Sequence, residues 1–113
     1  MDILNAPVGT YELGPLEVLD FGINWGAPAS AQLRGPWLQF GETIIGTPVI
    51  TQDGGDDLLT INPVGTATMV NRGLVSFWCS TPTVNVSYNV HVTITTSLGR
   101  TSTRRIVIVG VAR

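Results

Sequence analysis

At 113 residues the chain has the length of one domain, enough to bury a core without metals or disulfides. Hydrophobic residues make up 43% and charged residues only 12%, about half the usual charged share. A net charge of −2 and a pI near 5.0 speak against a nucleic-acid binder, and no run approaches the roughly eighteen apolar residues of a membrane span.

Residues 1–16 show neither a helical nor a strand period and carry Pro7, Gly9, Gly14 and Pro15. They read as an extended N-terminal arm, followed by a folded domain at 17–113. An ordered arm needs a surface to lie on, and a neighbouring subunit is the expected one. The same stretch lacks the basic start and long apolar run of a signal peptide, so synthesis and folding in a cytoplasm are expected.

"LEVLDFGINW" (16–25) is the first strand, with Leu19, Phe21, Ile23 and Trp25 on one face. Two extended pieces follow, Trp37 to Phe40 and Glu42 to Thr51, punctuated by Gly35-Pro36, Gly41 and Gly46. "QDGGDD" is a turn. "LLTINP" and "TATMV" flank a tight connection at Pro63-Val64-Gly65, and "RGLVSFWCS" is a further strand. Its inward residues read either as Leu74 and Phe77 or as Val75 and Trp78. Trp25 or Trp78 is expected to fill the core.

"VNVSYNVHVTIT" (84–95) alternates apolar and polar without a fault, so one face is buried. Twelve strand residues at roughly 3.3 Å each span about 40 Å, twice a typical strand. Such a strand bends at a bulge or projects as half of a hairpin, and a projecting edge is a docking surface. Gly99 in "SLGR" fits the left-handed position of a hairpin loop, and "STRRIVIVGVA" returns with Ile106 to Val109 apolar on both faces. About seven strands at regular spacing, and no convincing helix, describe an all-β protein: an immunoglobulin-like β-sandwich.

Candidate chemistry is sparse. His91 is the single histidine, on the polar face of its strand, and Cys79 is the single cysteine, inside an apolar run. The bland readings are a solvent or interface histidine and a small buried hydrophobe; a Cys79–His91 nucleophile pair is the sharper alternative. Asp53, Asp56 and Asp57 offer oxygens to a calcium ion, but lack the spacing and closing Glu of an EF-hand loop, so a solvated turn is the simpler reading. Glu17 and Asp20 show no paired-carboxylate pattern. The chain reads as a non-enzyme with no cofactor.

The charges are unevenly placed. Arg100, Arg104, Arg105 and Arg113 fall in the last fourteen residues, Asp53, Asp56 and Asp57 mid-chain, and every basic residue is Arg. Arginine's planar fork suits interfaces, so these seven residues are the candidate protein-interface set.

At Asp20, Phe21, Gly22, Ile23, Asn24 and Trp25 the sequence resembles the phage fiber-tail adaptor proteins. It does so again at Tyr88, Val90, Val92, Ile94, Thr95, Gly99, Arg100, Arg105, Ile106 and Ile108. The resemblance implies a small immunoglobulin-like virion protein of a tailed phage. It would stand in several copies as a ring around the tail near the portal and anchor tail fibers. Its expected partners are its own copies, portal or tail-tube proteins and the tail fiber, with no nucleic acid and no membrane. Its expected place is the virion tail, after synthesis in the host cytoplasm. An acidic turn at one end and an Arg-bearing strand at the other would serve head-to-tail contacts. Two alternatives share the fold: a carbohydrate- or receptor-binding module using exposed Trp37 and Tyr11, and a head-decoration or tail-tube protein.

Overall fold

The computed structural model describes residues 7–26, 37–39 and 41–113. Eight strands run β1 (Gly9–Leu13), β2 (Val18–Asn24), β3 (Ile44–Asp53), β4 (Thr60–Ile61), β5 (Met69–Asn71), β6 (Leu74–Ser80), β7 (Ser87–Thr96) and β8 (Thr101–Gly110). They form two sheets. The first has the order β1-β8-β7-β3, and the second has the order β2-β6-β4 with β5 also on β6. The all-β sandwich expected from the alternation is the fold. The piece expected from Trp37 to Phe40 is not a strand at 37–39, and Phe40 lies outside the described residues.

The core is what the period-2 pattern dictates. Val90, Val92, Ile94, Ile106 and Ile108 from the first sheet meet Phe21, Ile23, Val75, Phe77 and Cys79 from the second, all buried. The β6 residues that point inward are therefore Val75, Phe77 and Cys79. Neither expected pairing on that strand respected the strict alternation of a strand. Trp25 fills the core end of β2, and its indole N–H donates to Ser102 Oγ at 3.0 Å, which satisfies the buried polar atom. Trp78, on the outer face of β6, is only half-buried.

Two expectations about partners need correction. Gly9–Leu13, expected within an arm laid on a neighbouring subunit, forms β1 along β8 of its own chain, in parallel register from Gly9 opposite Ile106 to Leu13 opposite Gly110. Leu13 is fully buried and the Tyr11 ring lies 5.4 Å from that of Phe21 across the sandwich, so the ladder is held by packing as well as by hydrogen bonds. Residues 1–6 lie outside the described residues. The long strand does not project either. It is shortened to Ser87–Thr96 because Asn85 turns with φ 68°, and β7 pairs with β8 on one side and β3 on the other. Its backbone is consumed within the sheet, so it presents no docking edge.

The edges are unequal. β3, one border of the first sheet, slips register between Ile45 and Val49, where Gly46 (φ 69°) and Pro48 bulge the strand. A bulge with proline blunts an edge against further pairing. β1 and β2 border the two sheets on the other side of the sandwich, joined by a turn in which Glu17 N–H donates to Gly14 O.

At the base of the sandwich Tyr88 is buried. Its hydroxyl accepts from Thr83 N–H (2.8 Å) and donates to Asp56 Oδ1 (2.6 Å), tying three segments together. Gly110 passes so close beneath this turn that a Cβ would overlap the Thr83 carbonyl oxygen. Backbone cannot yield as a side chain can, so Gly110→Ala should cost about 2–4 kcal/mol. Tyr88→Phe should cost about 1–2 kcal/mol through its lost hydrogen bonds. Both values can be read from urea unfolding midpoints of the variants.

Candidate assembly surface

Each predicted interface charge can be placed. Arg100 sits just past the β7–β8 hairpin turn, where Gly99 (φ 80°) reverses the chain. Its guanidinium grips Glu42 with a two-pronged contact, Nε to Oε2 at 2.9 Å and Nη2 to Oε1. Nη2 also donates to the Trp37 carbonyl at 2.9 Å, and the guanidinium lies 3.9 Å above the Trp37 ring centre. Thr96 Oγ1 and the Gln39 N–H complete the Glu42 carboxylate, whose side chain is fully shielded from solvent. Arg100 is thus committed to a clamp that fastens the segment before β3 onto the hairpin. Glu42, expected only as the start of an extended piece, is not among the predicted interface charges, and nothing local marks its role: its partner is 58 residues away.

Arg113 lies at the far end of the molecule. It binds Glu17 Oε1 at 2.9 Å and reaches Glu12 Oε1 at 3.5 Å, tying the chain end to the β1–β2 turn. Arg113 also holds the Glu17 carboxyl below its usual range, helped by the Gly14 N–H. Arg104 faces inward. Its guanidinium stands 5.1 Å from the Trp25 ring centre and Nη1 donates to the Asn24 carbonyl at 3.0 Å, so it works as a lid on the core tryptophan. Arg105, its neighbour in sequence, faces outward and donates to Asn89 Oδ1 at 2.8 Å. The four arginines therefore fall at two ends and on two faces of β8, and do not form one patch.

The acidic turn is likewise divided. Asp53 Oδ2 meets His91 Nε2 at 2.8 Å on the outer face of the first sheet, one strand from Arg105, which is directly opposite His91. Asp56 is bound by Thr83 and Tyr88, and those hydrogen bonds hold its carboxyl below the usual range. Asp57 is exposed, in a left-handed turn with φ 61°. The three carboxylates serve different partners, and the described residues contain no group of three acidic, His or Cys side chains able to hold a metal.

Cys79 and His91 are separated by the sandwich itself. Cys79 points inward from β6 and burial pushes its thiol up to about 12, whereas His91 is on the outer face of β7. No nucleophile pair forms. Trp37, proposed for sugar stacking, is covered by Arg100, and Tyr11 leans on Phe21. Each ring thus has a partner within its own chain.

Beside these charges the surface carries exposed apolar side chains. Leu16 is 92% exposed at the β1–β2 turn, with Val18 and Leu19 beside it. Across the second sheet, Met69 is 65% exposed on β5, next to Val70 and Leu74, and Val64 stands free on the preceding turn. Leu19, expected on the face of Phe21 and Ile23, is exposed at the start of β2, and the short β5 and the turns carry too few residues to define a face.

Compared with known proteins, residues 14–109 match a family model described as podophage GP4 fiber-tail adaptor protein gp77. No curated protein matches the chain.

The Arg100 clamp holds the Glu42 carboxyl down at about 2, against 4.5 for an unperturbed group; desolvation opposes the shift and the guanidinium outweighs it. A carboxylate with a lowered folded value stabilises the fold above pH 4.5, and that contribution is lost as pH falls towards 2. Glu42→Gln should lower stability at neutral pH by about 2 kcal/mol. It should also flatten the stability profile between pH 4.5 and 2, as followed by urea midpoints at stepped pH.

Proposed function

The chain belongs to the podophage GP4 fiber-tail adaptor family, and on that premise we infer that it is a structural subunit of a phage tail. In this reading several copies surround the tail near the portal, each holding a fiber to it. The family match over residues 14–109 carries the reading, since it spans both sheets. A structural role also suits the chemistry: Arg100 and Arg113 clamp segments of their own chain, and the lone thiol is buried and protonated.

The fold in this reading is immunoglobulin-like. Support comes from the strand order, with β8, β7 and β3 adjacent in one sheet and β2, β6 and β4 in the other, as in the two sheets of such domains. Tyr88, near the start of β7 with its hydroxyl returning to the Thr83 backbone, has the form of a tyrosine corner. The division into residues 1–16 and a domain at 17–113 is kept only for the part before β1. Asp53, Asp57 and Arg105, which point outward, stay as the candidate charged contacts to tail or fiber proteins.

Localisation tests the reading. Particles from a host producing an epitope-tagged chain should carry the tag at the tail when imaged with gold-labelled antibody. Particles assembled without the chain should have tails lacking fibers. Labelling of the head, or full fiber attachment without the chain, would overturn it.

A further inference from the structure

The second sheet has two borders of different character. On one, β2 runs seven residues with neither bulge nor proline, and among the described residues no strand pairs with its outer edge. The Trp25 N–H donates to Gly73 O, which sets the alternation: the backbone groups of Asp20 and Gly22 point away from β6. Arg104 reaches from the other sheet to cap the Asn24 carbonyl, closing that edge at one end only. On the other border β5 has β6 as its single neighbour among the described residues.

Exposed apolar side chains gather on both borders, and the charges beside them are opposite. Asp20 lies on β2, exposed, and Arg72 lies in the β5–β6 turn, exposed with φ 59°. Neither makes an ion pair among the described residues, whereas Glu12, Glu17, Glu42, Asp53, Arg100 and Arg113 all do. Open strand edges with apolar surface are liabilities in a lone molecule, and complementary charge decides what they accept.

We infer that the β2 edge of one copy docks against the β5 edge of the next. The contact sets the Asp20 carboxylate against the Arg72 guanidinium and covers Leu16, Val18 and Leu19 with Val64, Met69 and Val70. The two surfaces differ, so the contact is head-to-tail and propagates from copy to copy, as a closed ring requires. The bulge blunts the β3 edge of the first sheet against the same kind of pairing. This inference rests on the multi-copy reading above and assigns the surfaces that reading leaves open.

The test uses the purified full chain. Asp20→Arg or Arg72→Asp alone should weaken self-association about tenfold or more in sedimentation, and the double reversal should restore it to within about threefold. Independently, a chain carrying Val18→Cys and Met69→Cys, treated with a short bismaleimide, should give a ladder of cross-linked multimers. Each single variant should give none, because Cys79 is buried. Dimers from a single variant would mean an edge meeting itself and would overturn the assignment. Assembly without a ladder would overturn it while leaving the multi-copy reading intact. A chain that stays monomeric would overturn it too, and tail labelling of particles then judges the multi-copy reading separately.

Discussion

β7 is the constraint on which the rest of this molecule is built. Tyr88, Val90, Val92 and Ile94 on its inner face are shut off from water, while its backbone is paired along both edges, to β8 and to β3. A central strand with one buried face admits one register, because a slip of a single residue would turn every apolar side chain outward. β8 inherits that register and carries β1 with it. Tyr88 then anchors the lower end of the strand to Thr83 and Asp56, and Thr96 anchors the upper end to Glu42. Both loops outside the strand thus hang from its ends.

A chain so poor in charge spends most of what it has on its own closure. Buried or half-buried ions are tolerated only with full hydrogen-bond satisfaction, and Glu42 achieves that with Arg100, Thr96 and the Gln39 N–H. Arg113 and Arg104 are also committed within the chain, one to the first turn and one to the core tryptophan. On the inferred head-to-tail contact, apolar side chains and backbone edges supply the area, with few charges left to choose the partner. Such surfaces bind through fit and area, and one or two charges suffice to reject wrong pairings.

The borders of the sandwich are built to differ in this respect. β3 carries a glycine bulge and a proline, features that discourage pairing, while β2 carries neither. On the inferred head-to-tail contact, a blunted β3 removes one competing edge from the surface that a neighbouring copy could meet.

How much of this was legible beforehand depends on whether the signal is local. The alternation at 84–95 and the apolar face of β2 predicted strands and core, because period 2 acts within one strand and needs no partner. Gly99 was legible for the same reason: the turn it makes is spanned by its own neighbours. The family signature in β2, β7 and β8 lay within continuous strands as well. What tertiary structure alone decided is the pairing of segments distant in sequence. β1 was hidden because a short strand with Gly and Pro nearby has no pattern until β8 offers it a ladder. The fate of each arginine was hidden because Glu42 lies 58 residues from Arg100, and Glu17 lies 96 from Arg113. A sequence specifies which faces must leave water; which charge meets which is settled only when the sheets close on one another.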